Sequence, residues 1–174
     1  SEYAILSNNK TRNFSGYLMS SVYIETSIIS YLTARVSRDL IVAGHQQMTE
    51  EWWSVQRNRF ELWASELVVE EASAGDASAA AERLKVLNTI EMLDITEEAG
   101  FLATALIERG SLPAKASADA LHIAIAAVHN VDYLLTWNCK HIANAEMRPV
   151  IESVCRNMGF IPPILCTPEE LMGR

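Results

Sequence analysis

The sequence predicts an α/β domain with a mostly parallel β-sheet. Two observations lead there. Short runs rich in β-branched and aromatic residues alternate along the chain with longer helical patterns, the order expected when strands are separated by covering helices. The 174 residues, 49% hydrophobic and 21% charged, suffice for one domain with a substantial buried core. Crossovers in such sheets are right-handed, and the carboxyl ends of the strands line one edge, where sites form.

The elements follow in chain order. Residues 1–20 include the polar, turn-rich SNNKTRNFSG and show no periodicity. They are expected to form a flexible N-terminal extension, with Met19 a candidate natural start and residues 21–174 the folded domain. Val22-Tyr23-Ile24 reads as the first strand, and Ser27 to Leu32 as a helix capped by Thr26 or Ser27. Leu40, Ile41, Met48, Trp52 and Trp53 suggest helical faces, with a break at Gly44. FELWAS reads as the second strand. In SELVVEEASAG, Ser65 is the expected N-cap and Gly75 the stop. Asp76 to Leu87 is an alanine-rich helix, EMLDI a short strand, and Thr96 caps a helix running through Glu108 with Gly110 behind it. PAKASADALHIAIAAVHN is a long apolar helix that feeds the strand VDYLLT. MRPVIESVCRNMG is a helix ended by Gly159, and IPPILCTPEELM gives a last strand and a short helix opened by Pro168.

Composition narrows the function. The net charge of −8 argues against a general nucleic-acid coat protein, which needs a strongly basic field, but not against an enzyme that meets RNA through a few bases and a metal. No apolar run reaches the roughly 18 residues needed to cross a bilayer, so no membrane partner is expected. Cys139, Cys155 and Cys166 fit neither a zinc pattern nor a disulfide framework, which points to a reducing cytoplasm.

The acids carry the chemical signal. Glu25 ends the first strand, Glu70 and Glu71 follow the second, Asp119 precedes the fourth, and Asn138 follows it in LLTWN. All can fall on the carboxyl edge of a parallel sheet. Clustered carboxylates repel unless a cation neutralises them, and oxygen ligands suit Mg²⁺ or Mn²⁺. Blander roles stand beside this one. Glu25 reads equally well as an acid favoured at a helix start, one of Glu70 and Glu71 as a solvated helix face, and Asn138 as an ordinary N-cap. Asp119 lies among Ala116, Ala118, Ala120, Leu121, Ile123 and Ala124, where an unpaired acid is rare. His122 reads as a packed or hydrogen-bonded core histidine and not as a ligand, and Thr26 and Thr136 either as supports for a carboxylate or a water or as plain polar residues at strand ends. The two roles of Glu25 predict opposite effects of Glu25→Gln on metal-free stability: a gain if repulsion in an acidic cluster is relieved, a loss of about 0.3–1 kcal/mol if only a helix-start acid is removed.

The stretches VYIETSIISYL, SELVVEEASAG, ADALHIAIAAVHNVDYLLTWN and HIAN resemble the PIN domain, and in particular the VapC-type toxins of toxin–antitoxin pairs. The resemblance runs from about residue 21 to about residue 167. It implies a three-layer α/β/α sandwich with a short sheet and a Mg²⁺- or Mn²⁺-dependent endoribonuclease. It places the family's acids on Glu25, Glu71 and Asp119, with Glu70 as the alternative to Glu71, and its fourth position on Asn138. Glu25 stands where the family usually has Asp, and Asn138 where Asp is frequent. Implied partners are an RNA substrate, a cognate antitoxin and a second copy of the chain, with Trp52, Trp53 and Trp63 as candidates for a groove that takes a partner segment, although at least one of them is expected to pack the domain's own core instead. The competing reading is a PIN-like binding module, catalytically weak or inactive, that acts through a protein partner. A phosphatase with an aspartate nucleophile would need an Asp with a second acid two residues on, and IETS has neither.

Overall fold

The computed structural model describes residues 19–109 and 112–173. Residues 1–18 of the expected extension, and Gly110, lie outside the described residues. Ser20 already belongs to the sheet.

Five strands, β1 (Ser20–Ile24), β2 (Phe60–Ser65), β3 (Glu91–Leu93), β4 (Tyr133–Leu135) and β5 (Ile164–Cys166), form one sheet in the order β3-β2-β1-β4-β5. Every pairing is parallel, so the expected mostly parallel sheet is wholly parallel among the described residues. β1 lies at the centre, with Val22 opposite Leu62 on one side and Tyr133 on the other. Its position explains its composition: Val22, Tyr23 and Ile24 are fully buried, as a strand covered on both faces must be. The start of β1 is pinned to β4 by Asp132, which accepts from Ser21 N at 2.8 Å and Ser21 Oγ at 3.1 Å while its own N–H donates to Ser21 Oγ at 3.0 Å.

Seven helices cover the sheet among the described residues: α1 (Thr26–Thr33), α2 (Leu40–Glu51), α3 (Glu66–Ala72), α4 (Ala77–Leu87), α5 (Glu97–Glu108), α6 (Ser117–Val128) and α7 (Arg148–Asn157). α1 packs against α2, α3 and α4, whereas α5 packs against α6 and α7, giving an α/β/α arrangement. Asp76 and Thr96 cap α4 and α5 by accepting from Ala79 N and Ala99 N. Gly75 and Gly159 hold φ near +85° and +87°, a region that a residue with a β-carbon enters only with strain, and each lies beyond the end of a helix.

Several expectations change. α2 passes through Gly44 unbroken, because the rest of the helix is anchored: Gln46 accepts from Ser37 N and donates to Arg35 O, and His45 stacks on Trp137 at 4.0 Å. One helical glycine, costing about 1 kcal/mol, does not overcome those contacts. The break comes instead at the π-helical turn Trp52–Gln56. Trp52 is fully buried, stacks on Phe60 and donates to Leu171 O, so it belongs to the core and offers no partner groove. Finally, Pro168 opens only a turn, in which Glu170 accepts from Thr167 N.

Asp39 caps α2, accepting from Ile41 N at 2.9 Å and Val42 N at 3.1 Å. Asp39→Ala is expected to cost about 1 kcal/mol, read as a lower urea midpoint at unchanged slope. An unchanged midpoint would contradict the cap.

Candidate metal centre

β1 ends at Ile24, and the next residue, Glu25, turns the chain into α1. Glu25 N donates to Leu135 O, which continues the β1–β4 ladder by one bond and fixes the carboxylate at the strand end. The side chain is buried and accepts from Ser27 N at 3.1 Å, from Ser27 Oγ, and from Thr136 Oγ1 at 2.7 Å. All of these donors meet Oε2, which leaves Oε1 for another ligand. Glu25, and not Thr26 or Ser27 as expected, is thus the N-cap of α1, and it is a buried acid at once.

Glu71, near the end of α3, comes to the same place from β2. It accepts from Thr26 Oγ1, and both of its carboxylate oxygens lie 3.3 Å from His122 Nε2. Burial works to raise its pKa, but the hydrogen bond and field of His122 and the bond from Thr26 outweigh it, and the carboxyl is held below its ordinary value. The stability this contributes is present above the ordinary glutamate range and is lost as pH falls through the depressed value. Glu70, one residue earlier, is exposed on the outer face of α3 and stays out of the cluster.

Ligand atoms of Glu25, Glu71 and His122 all lie within 4.8 Å of one another, the one such group among the described residues. Two carboxylates and an imidazole at that spacing fit the coordination sphere of a single divalent ion. Asp119 is outside this tight group. In the first turn of α6, it accepts from Asn138 Nδ2 at 2.9 Å and pairs with His141 Nδ1 at 2.7 Å. Asn138 in turn accepts from His141 N, and its N–H donates to Thr136 Oγ1, the same hydroxyl that donates to Glu25. Asp119 and Glu25 therefore share the carboxyl edge, linked through Asn138 and Thr136.

Tyr23, Ser65 and His141 carry site contacts that the sequence reading does not assign. Tyr23 and Ser65 read there as a strand residue and a helix cap, and His141 only as part of HIAN. Its signal is a histidine three residues past the Asn138 turn. His122, read as a hydrogen-bonded core histidine, is one, and it also faces Glu71. Burial pushes the thiol of Cys155 up to about 11 and that of Cys166 up to about 12.

Among solved structures, the chain is similar to the Mycobacterium tuberculosis toxin VapC20, described as cleaving the sarcin–ricin loop, at 14% identity and TM-score 0.54, over 75% of this chain and 95% of that one. It is similar to a toxin–antitoxin complex from Klebsiella pneumoniae at 19% identity and TM-score 0.52, over 73% and 94%. It also resembles VapBC2 from Rickettsia felis, solved with a promoter DNA fragment, at 17% identity and TM-score 0.50, over 68% and 88%. At these identities the likeness is one of fold. Comparison by sequence with curated proteins gives no significant match. The PIN domain family model matches residues 22–141, well over half of the chain and the span that holds Glu25, Glu71, Asp119 and Asn138, so the chain belongs to the PIN domain family.

Proposed function

We propose that this chain is a Mg²⁺- or Mn²⁺-dependent endoribonuclease, the toxin of a toxin–antitoxin pair. The observation that carries the reading is the meeting of Glu25 and Glu71 within 4.8 Å at the carboxyl edge of a PIN sheet, with Asp119 and Asn138 joined to them by hydrogen bonds. Glu25 and Glu71 hold the cation directly. Asp119 lines the same edge and takes a further position on it, because a carboxylate oxygen that accepts one hydrogen bond keeps a second lone pair for a ligand. When bound there, the cation supplies the positive charge that offsets charge building on a phosphodiester and favours ionisation of water. Thr26 and Thr136 hold Glu71 and Glu25 in place, and Asn138 holds Asp119. Glu71, kept ionised, also serves to orient a water toward the phosphorus.

The partners proposed are an RNA substrate, an antitoxin and a second copy of the chain, in a cytoplasmic setting. Trp53 rather than Trp52 is available to a partner: half-buried under Arg57, it lines a groove of about 410 Å³ with Leu32 and Val86. No helix among the described residues is long and apolar enough to cross a membrane.

Incubation with an RNA pool and Mn²⁺, followed by mapping of the cut ends, tests the activity. Specific ends are expected from the wild type and none from Asp119→Asn. A folded wild-type protein that binds Mn²⁺ yet cuts no RNA and is harmless on expression would support the binding-module reading instead.

A further inference from the structure

Behind Glu71 lies a chain of buried polar groups. Ser65 Oγ is 2.7 Å from the Tyr23 hydroxyl, which is 2.8 Å from His122 Nδ1, and His122 Nε2 is 3.3 Å from each Glu71 oxygen. Ser65 and Tyr23 are fully buried and His122 is 1% exposed.

The direction of every hydrogen in this chain follows from donor counting. Among the described residues, Ser65 Oγ meets only Tyr23, because Ser65 stands at the N-cap position of α3 without making a capping bond. A buried hydroxyl hydrogen with no acceptor costs about 1–3 kcal/mol, so Ser65 donates to the Tyr23 oxygen. The Tyr23 phenol is fully buried, and among the described residues its hydroxyl meets only Ser65 Oγ and His122 Nδ1, so it keeps its single hydrogen. That hydrogen goes to His122 Nδ1. A ring nitrogen that accepts carries no hydrogen, so the imidazole proton sits on Nε2. Nε2–H then points between the two oxygens of Glu71, which can only accept. The opposite direction leaves the Ser65 hydrogen buried without a partner.

We infer that His122 is a positioning residue: Ser65 and Tyr23 lock it as the Nε2–H tautomer, and in that form it anchors Glu71 for the cation instead of ligating the cation itself. The inference rests on the proposed function only in taking Glu71 as a ligand. It separates the three groups that share the 4.8 Å cluster into two ligands and one support. It also accounts for a tyrosine in the central strand whose hydroxyl would otherwise be costly to bury.

Two measurements test it. In the metal-free wild type, ¹⁵N NMR of labelled histidine is expected to show His122 with Nδ1 bare and Nε2 protonated. Electron spin resonance is then used to measure Mn²⁺ binding and any directly bound nitrogen in wild type, His122→Leu, His122→Gln and Tyr23→Phe. His122→Leu is expected to weaken Mn²⁺ binding about 10–100-fold, the usual cost of losing an outer-shell partner. His122→Gln, whose amide N–H reaches the same carboxylate, is expected to recover most of that loss. Tyr23→Phe is expected to fall between them. A Nδ1–H tautomer, a nitrogen bonded to Mn²⁺, or unchanged affinity in folded His122→Leu would each overturn the inference. If the wild type binds no Mn²⁺, the nuclease reading falls while the tautomer still decides the relay. If the leucine variant does not fold, the tautomer and the glutamine variant decide.

Discussion

Glu25→Gln is expected to remove RNA cleavage and to weaken Mn²⁺ binding by more than the roughly 100-fold that loss of an outer-shell partner costs, because a charged ligand is replaced by a neutral one. Its effect on the metal-free protein is the sharper test. From sequence, the ligand role and the helix-start role of Glu25 predict opposite signs. The structure gives Glu25 both roles in one side chain: Oε2 caps α1 and takes three donors, and the carboxylate also meets Glu71 and His122. Hydrogen bonds to a charged acceptor contribute about 1.5–3 kcal/mol against about 1 for neutral ones. Three weakened bonds and a poorer cap outweigh the relief of repulsion from a half-exposed Glu71. The variant is therefore expected to lose about 1–2 kcal/mol of metal-free stability, the reverse of the gain that a simple acidic cluster would give. Melting curves of both proteins with and without Mn²⁺ decide it. The wild type should gain stability with Mn²⁺ as mass action requires, about 2.7 kcal/mol at a hundred times Kd, and the variant should not. A variant more stable than wild type without metal would show that repulsion dominates.

Trp52→Ala is expected to have the largest effect on folding, about 3–5 kcal/mol. Trp52 is fully buried at the π-helical turn, its ring stacks on Phe60 with centroids 5.8 Å apart, and Nε1 donates to Leu171 O at 3.1 Å. Truncation leaves a cavity beside the start of β2 and an unpaired carbonyl in the C-terminal segment. In a domain of this size the melting temperature should fall by on the order of 10 °C, while Trp52→Phe should lose much less. A small loss for alanine, below about 1 kcal/mol, would place Trp52 at a surface, where the sequence pattern had allowed it to form a partner groove.

The sequence by itself determined the parts whose causes are local. β-branched and aromatic runs became strands, Thr96 capped the helix it precedes, and strand–helix alternation led to a parallel sheet. Glu25, Glu71, Asp119 and Asn138 could be placed near one edge because each stands at an end of an element that points there. The partners of those residues were decided only by the tertiary structure. Thr26 meets Glu71 across 45 residues of sequence, Tyr23 meets His122 across 99, and Thr136 meets Glu25 across 111. Ser65 shows the limit most plainly. Its position before α3 favours a cap, yet its hydroxyl turns inward to Tyr23, because the β1–β2 pairing puts a buried phenol within reach and a buried hydroxyl must be satisfied there. Periodicity and capping preferences are set by neighbours along the chain. Strand order, and with it the company each polar side chain keeps, is set by how the whole apolar surface is buried.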